Sequence, residues 1–258
     1  MDFADDIALL SDEIEGAKQL LRSVETECGR VGLRLNAKKT KFMTYNIDDD
    51  IALTTREGKE ISRALTDRGE QDFKYLGSWI ATTEHDVEVR KAMAWVALHR
   101  MSKIWRSRMT RGTKLRLFQS AVVSILLYCA DTWAITKEIR KRLDGTYTRM
   151  LRMALNISWR SHTTNEELYR GIPKLSDVIQ KRRLQLAGHS YRQLGTPVGD
   201  TVTWDPTHGH PNRGRTRLNY LDVLKEDTGI KVTSELQSCM RDRKIWKCYV
   251  SRCQPATG

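Results

Sequence analysis

The chain has 258 residues, with 44 Lys plus Arg against 32 Asp plus Glu and 40% hydrophobic residues. That length suits one or two domains at about 150 residues each, and the apolar content excludes wholesale disorder. A spanning helix needs ~20 apolar residues, so the longest uncharged stretch, Leu117 to Ala130, is too short, and Asp2, Asp5 and Asp6 stand where a secretory signal would begin.

In chain order, Ile7 to Leu10 is a short apolar run, and Ser11 is placed to cap a following helix with Asp12, Glu13 and Glu15 in its first turn. Ile14, Ala17, Leu21, Val24, Cys28 and Val31 recur at spacings of three and four, and Gly32 ends the stripe. Lys41 to Tyr45 reads as a strand, Asp48-Asp49-Asp50 as a turn, Arg56-Glu57-Gly58-Lys59 as a hairpin tip and Phe73 to Ile80 as another strand. From about Asp86 the period becomes helical. Val89, Met93, Val96, Ala97, Met101 and Ile104 mark one helix, and Leu117, Phe118, Ala121, Val122, Ile125 and Leu126 a second, more buried one. Ile139, Leu143, Tyr147, Met150, Leu151 and Leu155 mark a third, residues 174–194 a fourth. Residues 195–216 hold Pro197, Pro206 and Pro211 and read as a linker, with shorter helices around Leu221 and Trp246 beyond it.

Charge is unevenly spread: residues 1–90 carry a net −6 and residues 91–258 a net +18. A domain that basic repels itself unless a polyanion is nearby, which points to nucleic acid. The surplus clusters at Lys103, Arg106, Arg108, Arg111, Lys114 and Arg116, at Lys181-Arg182-Arg183, and at Arg213, Arg215 and Arg217 in the linker. None of these clusters shows the patterning of a recognition helix, so phosphate and sugar contacts are expected.

Phe3-Ala4-Asp5-Asp6 is the tetrapeptide with most chemistry. Adjacent carboxylates on a tight turn repel each other unless a cation neutralises them, the need met by a two-metal site with Mg²⁺ ions ~3.5–4 Å apart. An exposed loop is the plain alternative. Several spaced segments together resemble the reverse transcriptases of non-LTR (LINE-type) retrotransposons. Phe3 to Leu10 resembles the aromatic-Ala-Asp-Asp box and its strand, Gly32-Leu33 with Asn36-Ala37-Lys38-Lys39-Thr40 the next palm motif, and Phe73-Lys74-Tyr75-Leu76-Gly77 the primer-grip turn. Leu126-Leu127-Tyr128 with Trp133 is similar to the thumb signature, and Arg182-Arg183-Leu184, Gly188-His189 and Gly214 to Arg217 to C-terminal segments.

The resemblance implies an α+β fold: a partial palm (strand-helix-strand plus hairpin) over 1–80, a helical thumb over 81–160 and a basic helical region over 161–258. It implies Mg²⁺ as cofactor, with Asp5 as metal ligand and Asp6 as its less direct partner, and Lys39 assisting the leaving pyrophosphate. Tyr75, Leu76 and Gly77 would hold the primer end. RNA template and DNA primer or target are the implied partners, with no membrane, and the setting is intracellular and nuclear. The family's palm draws a further metal-binding aspartate and its fingers from well upstream, whereas this chain starts two residues before the box, with Asp2 where an apolar residue is usual. The expectation is therefore a polymerase fragment inactive alone, the alternatives being a non-catalytic nucleic-acid-binding remnant or a functionless relic.

The remaining motifs are weaker. The five cysteines, Cys28, Cys129, Cys239, Cys248 and Cys253, are scattered, as suits a reducing compartment. His208 and His210 precede Cys239, Cys248 and Cys253 without zinc spacing, so zinc is not expected. Trp79, Trp95, Trp105, Trp133 and Trp159 read mostly as core residues.

Overall fold

The computed structural model describes residues 2–45, 51–66, 69, 71–193, 195–204 and 218–252, with the side chains of Asp2, Phe3 and Trp159 excluded. Asp48-Asp49-Asp50 and Arg213, Arg215 and Arg217, with Pro206 and Pro211, lie outside the described residues. The fold is mixed α+β, and the chain divides into two compact units, Met1–Thr82 and Thr83–Gly258.

The first unit opens with a hairpin of two-residue strands, β1 (Asp2–Phe3) and β2 (Asp6–Ile7), paired antiparallel through Asp2–Ile7 and Phe3–Asp6. Helix α1 (Ile14–Arg30) follows. Ser11 does not cap it: the residue preceding the helix is Glu13, and the Ser11 hydroxyl donates to the Glu13 carbonyl at 2.7 Å and accepts from its N–H at 3.2 Å. The serine closes a turn one step ahead of the helix. At the other end Gly32 takes φ +80, letting Leu33 N–H reach the Cys28 carbonyl at 2.9 Å and Gly32 N–H the Gly29 carbonyl at 3.2 Å. This double closure is the glycine-dependent way to satisfy the last carbonyls of a helix. Of the expected stripe only Leu21 is buried, while Val31 is exposed.

Strand β3 (Lys41–Phe42) runs parallel to β5 (Glu60–Arg63), which pairs antiparallel with β4 (Leu53–Thr54). The expected tip at Arg56 to Lys59 joins β4 to β5, with Gly58 at φ +75 and Thr55 N–H donating to the Lys59 carbonyl at 2.9 Å. Residues 73–80 are not one strand. They form a second tight hairpin, β6 (Lys74–Tyr75) and β7 (Ser78–Trp79), turning on Leu76 and Gly77, both at positive φ. Two central residues with φ > 0 match the right-handed twist of flanking strands. The buried Asp72 carboxylate closes the base, its Oδ1 accepting from Phe73 N–H at 2.8 Å and Ala81 N–H at 2.9 Å.

The second unit is helical: α2 (Thr83–Arg100), α3 (Ser102–Trp105), α4 (Arg111–Phe118), α5 (Ser124–Leu126), α6 (Lys137–Ala154), α7 (Asn165–Leu168), α8 (Leu175–Tyr191), α9 (Pro197–Thr201), α10 (Tyr220–Thr228), α11 (Thr233–Arg241) and α12 (Arg243–Arg252). A π-helical stretch, Gln119–Val123, joins α4 to α5, so the expected second helix is continuous but locally widened. Side-chain caps set several starts: Thr136 accepts from Ile139 N–H at 3.3 Å, and Asn219 accepts from Asp222 N–H at 2.7 Å while Asp222 accepts in return. Each such cap stabilises by about 1 kcal/mol. The expected linker contains α9, where Thr196 caps Pro197–Thr201 and Val202 is buried.

Two apolar cores are formed by the described residues of this unit. The first gathers α2, α4, α5 and α6 around Leu98, Phe118, Leu126, Leu143 and Met150, and takes Leu175 and Ile179 from the start of α8. The second packs Leu184, Ala187 and Tyr191 of the same helix against Leu221, Leu224, Leu236, Met240 and Trp246. Burying each such side chain contributes about 1.5–3 kcal/mol. The expected face of α2 is the wrong one: Met93 and Val96 are exposed, and the buried side is Asp86, Val87, Arg90, Ala94 and Leu98. Two opposed charges on the inner face hid it from an apolar-periodicity reading.

Candidate functional site

Asp5 occupies the turn of the first hairpin and Asp6 opens β2 opposite Phe3. Ala4 sits at φ +55, a left-handed conformation that folds the two-residue loop back and brings the carboxylate-bearing backbone to the tip. Both aspartates are exposed and neither side chain has a hydrogen-bond partner among the described residues. Two oxygen-donor groups at a strand turn suit Mg²⁺, a hard cation that takes one or two protein carboxylates and fills its octahedron with water and substrate phosphates. Among the described residues no third His, Cys, Asp or Glu completes a metal-binding group with them.

Lys39 is exposed on a turn built by its own motif. Asn36 accepts from Lys39 N–H through its carbonyl at 3.0 Å and its side-chain Oδ1 at 3.3 Å, and Thr40 returns both N–H (2.9 Å) and hydroxyl (3.0 Å) to the Asn36 carbonyl. The spacing Asn-x-x-Lys-Thr thus has a local reason: the asparagine and threonine close one loop and leave the lysine projecting. Tyr75, Leu76 and Gly77 occupy the β6–β7 turn, with the Lys74 ammonium 6.0 Å from the Trp79 ring centre across the hairpin. The strands carrying these motifs form three separate sheets among the described residues. No described side-chain hydrogen bond or ion pair links Asp5, Asp6, Lys39 and Tyr75.

In the second unit the basic set divides. Lys103, Arg106, Arg108 and Arg116 are exposed. Arg111 is exposed with one guanidinium nitrogen committed to the Leu168 carbonyl at 2.8 Å, and Arg182 likewise to the Leu127 carbonyl at 3.2 Å; Lys181 is half-buried. Two members are misplaced by a surface reading. Lys114 is buried and donates to the Trp105 carbonyl at 2.6 Å. Arg183 has 0% exposure, its Nε bonded to Asp227 Oδ2 at 2.8 Å and its Nη1 to the Trp133 carbonyl at 2.9 Å. Both spend their charge inside, where phosphate cannot reach. Burial drives the Asp227 carboxyl up, against the lowering pull of Arg183 and Arg140.

Sequence reading missed a cluster in which buried Asp86, Arg90 and Trp133 meet the exposed ring of Tyr128. Trp133 Nε1 donates to Asp86 Oδ2 at 2.9 Å, Asp86 Oδ1 lies 3.6 Å from Arg90 Nε, and the Arg90 guanidinium sits 4.3 Å from the Tyr128 ring centre. Tyr128 of the Leu-Leu-Tyr segment and the downstream Trp133 thus clamp one ion pair of α2. Spacing 86, 90, 94, 98 on one helical face was the signal that could have found it.

Residues 1–80, which contain all three palm-like motifs, match the family model described as reverse transcriptase (RNA-dependent DNA polymerase). Over these residues the chain is similar to that family. The whole chain is similar to an uncharacterized transposon-derived protein of Caenorhabditis elegans, 25% identical over 265 residues and covering 97% of this chain and 94% of that protein. No solved structure matches significantly. No described helix is long and apolar enough to cross a membrane.

Proposed function

We propose that this chain derives from an RNA-directed DNA polymerase of a non-LTR retrotransposon, with Asp5 and Asp6 as its metal-holding carboxylates and the helical unit as its nucleic-acid grip. The Asp-Asp hairpin at the head of the matched segment carries this reading. Mg²⁺ bound there would supply the activated primer hydroxyl and a counter-charge for departing pyrophosphate. Asp5 is placed to hold it, Asp6 to assist, and Lys39 to meet a leaving anion from its projecting turn. Lys103, Arg106, Arg108 and Arg116 would neutralise phosphates without reading bases.

Two exposed carboxylates do not by themselves fix two metals, so the 258-residue chain is expected to bind nucleic acid and not extend a primer. Primer extension on an RNA template with Mg²⁺ or Mn²⁺ tests this, and incorporation abolished by Asp5→Asn would show the chain to be an active polymerase. The second reading is a non-catalytic nucleic-acid-binding protein, favoured by the exposed Lys103, Arg106, Arg108 and Arg116 of the helical unit. It predicts that Asp5→Asn and Asp6→Asn leave binding unchanged.

A further inference from the structure

The helical unit has a cavity of about 290 Å³ beside α3 and the C-terminal end of α6. Trp105 forms its buried wall, and Met153 and Ile157, both half-buried, extend the apolar surface. Arg106, Arg152 and Asn156 supply the polar part. Arg106 is exposed and its guanidinium has no hydrogen-bond or ion-pair partner among the described residues. Arg152 is held in place through Nη2 alone, bonded to the Thr163 carbonyl at 2.8 Å and Asn165 Oδ1 at 2.9 Å. Asn156 stands at φ +55, closing α6 so that Ile157 N–H reaches the Arg152 carbonyl at 2.9 Å and the chain bends around the opening.

We propose that this cavity is a slot for a single unpaired nucleotide of a bound nucleic-acid strand, resting on the nucleic-acid reading above. Its volume lies just below the range of ligand pockets, roughly 300–1,000 Å³, which suits at most one nucleotide and excludes a stacked run. Half-buried Met153 and Ile157, backed by the buried Trp105 indole, offer an apolar surface to a base, which every base can use. Two guanidiniums, one free and one pre-oriented, match the phosphate. The Asn156 amide presents a donor and an acceptor to the base edge. Exposed Lys103 and Arg108 lie within three residues of Arg106 along the chain and add positive charge that a strand entering the slot would meet.

The test uses the full chain and three fluorescent probes: a perfect duplex, the same duplex with one bulged thymidine, and the same bulge made abasic. The thymidine bulge is expected to bind about tenfold tighter than the abasic one. Ser158→Phe, at an exposed position lining the cavity, should erase that preference while leaving the salt slope unchanged. Arg106→Ala should weaken both bulged probes and lower the salt slope by ~0.7–0.9. Equal affinity for the base and abasic bulges, or a preference that survives Ser158→Phe, overturns the slot and leaves general phosphate binding standing. Displacement of the bulged probe by free thymidine monophosphate as readily as by unlabelled bulged duplex overturns the strand assignment in favour of a free nucleotide. No binding to any probe at low salt overturns the nucleic-acid reading and the slot with it.

Discussion

Arg183 of α8 and Asp227 of α10 form an ion pair at 2.8 Å with both side chains essentially out of solvent. Arg140 reaches the second carboxylate oxygen at 3.7 Å, and Tyr220 donates to the Arg183 and Asp131 carbonyls. Breaking such a pair from one side leaves an uncompensated buried charge, costing about 3–5 kcal/mol, whereas replacing both partners by apolar groups is far milder. Arg183→Met and Asp227→Leu singly should each lower the urea midpoint sharply, and the double variant should recover much of that loss. Additive effects would show that the two residues are not energetically coupled.

Gly188 lies against Trp246, whose indole N–H donates to the Leu184 carbonyl at 2.7 Å. A Cβ at position 188 would stand 2.1 Å from Trp246 Nε1, a distance no real contact tolerates. Gly188→Ala should therefore push α12 off α8, cost at least the ~1–3 kcal/mol of core overpacking and red-shift the emission of a newly wetted tryptophan. Unchanged melting and emission would contradict the packing.

Leu76 adopts φ +47 at the tip of the β6–β7 hairpin. A left-handed conformation costs a non-glycine residue about 1–2 kcal/mol, so Leu76→Gly should raise rather than lower the stability of this hairpin, by up to ~1 kcal/mol once the added unfolded-state entropy is subtracted. Slower amide exchange at Ser78 and Ile80 in the variant is the reading to look for.

Burial raises the Tyr147 and Tyr220 phenols well above their ordinary range near 10. A raised pKa in the folded state contributes stability that is complete below about pH 10 and lost as the pH climbs further. Spectrophotometric titration should show fewer ionised tyrosines at pH 11 in the native chain than in urea, with alkaline unfolding following. Identical titration curves would show both rings reached by solvent.

The first unit buries few apolar side chains, with Leu21, Ala37, Ile61 and Ala64 inside and Ile7, Leu10, Val31 and Leu33 outside. Its strands are two to four residues long. Amides of α1 and of the strands β1 to β7 should exchange far faster than those of α2, α6 and α8. Equal protection in both units would refute this ranking.

Apolar periodicity made α6 legible, because Ile139, Leu143, Tyr147, Met150 and Leu151 are all buried as their spacing implied. It failed on α2, where Asp86 and Arg90 lie inside and neutralise each other against Trp133 and Tyr128. It failed again at Leu76, because a leucine conceals a turn that only Gly77 betrays. The basic runs were legible as charge but not as surface. Lys114 and Arg183 are indistinguishable from their neighbours until the carbonyls of Trp105 and Trp133 and the carboxylate of Asp227 are in place. The Asp5-Asp6 turn was legible because it is made within a few residues, whereas the loop of Asn36 to Thr40 shows itself only in the hydrogen bonds that Lys39 and Thr40 return to Asn36.

Helix α8 places Leu175 and Ile179 in one apolar core and Leu184, Ala187 and Tyr191 in the other. Severing it would therefore leave neither half with a closed interior, so α8 itself is not a breakpoint at which a shortened copy could still fold. Melting should pass through a single cooperative step for residues 83–252, and a protease that opens α8 should release both cores at once rather than trim one from the other.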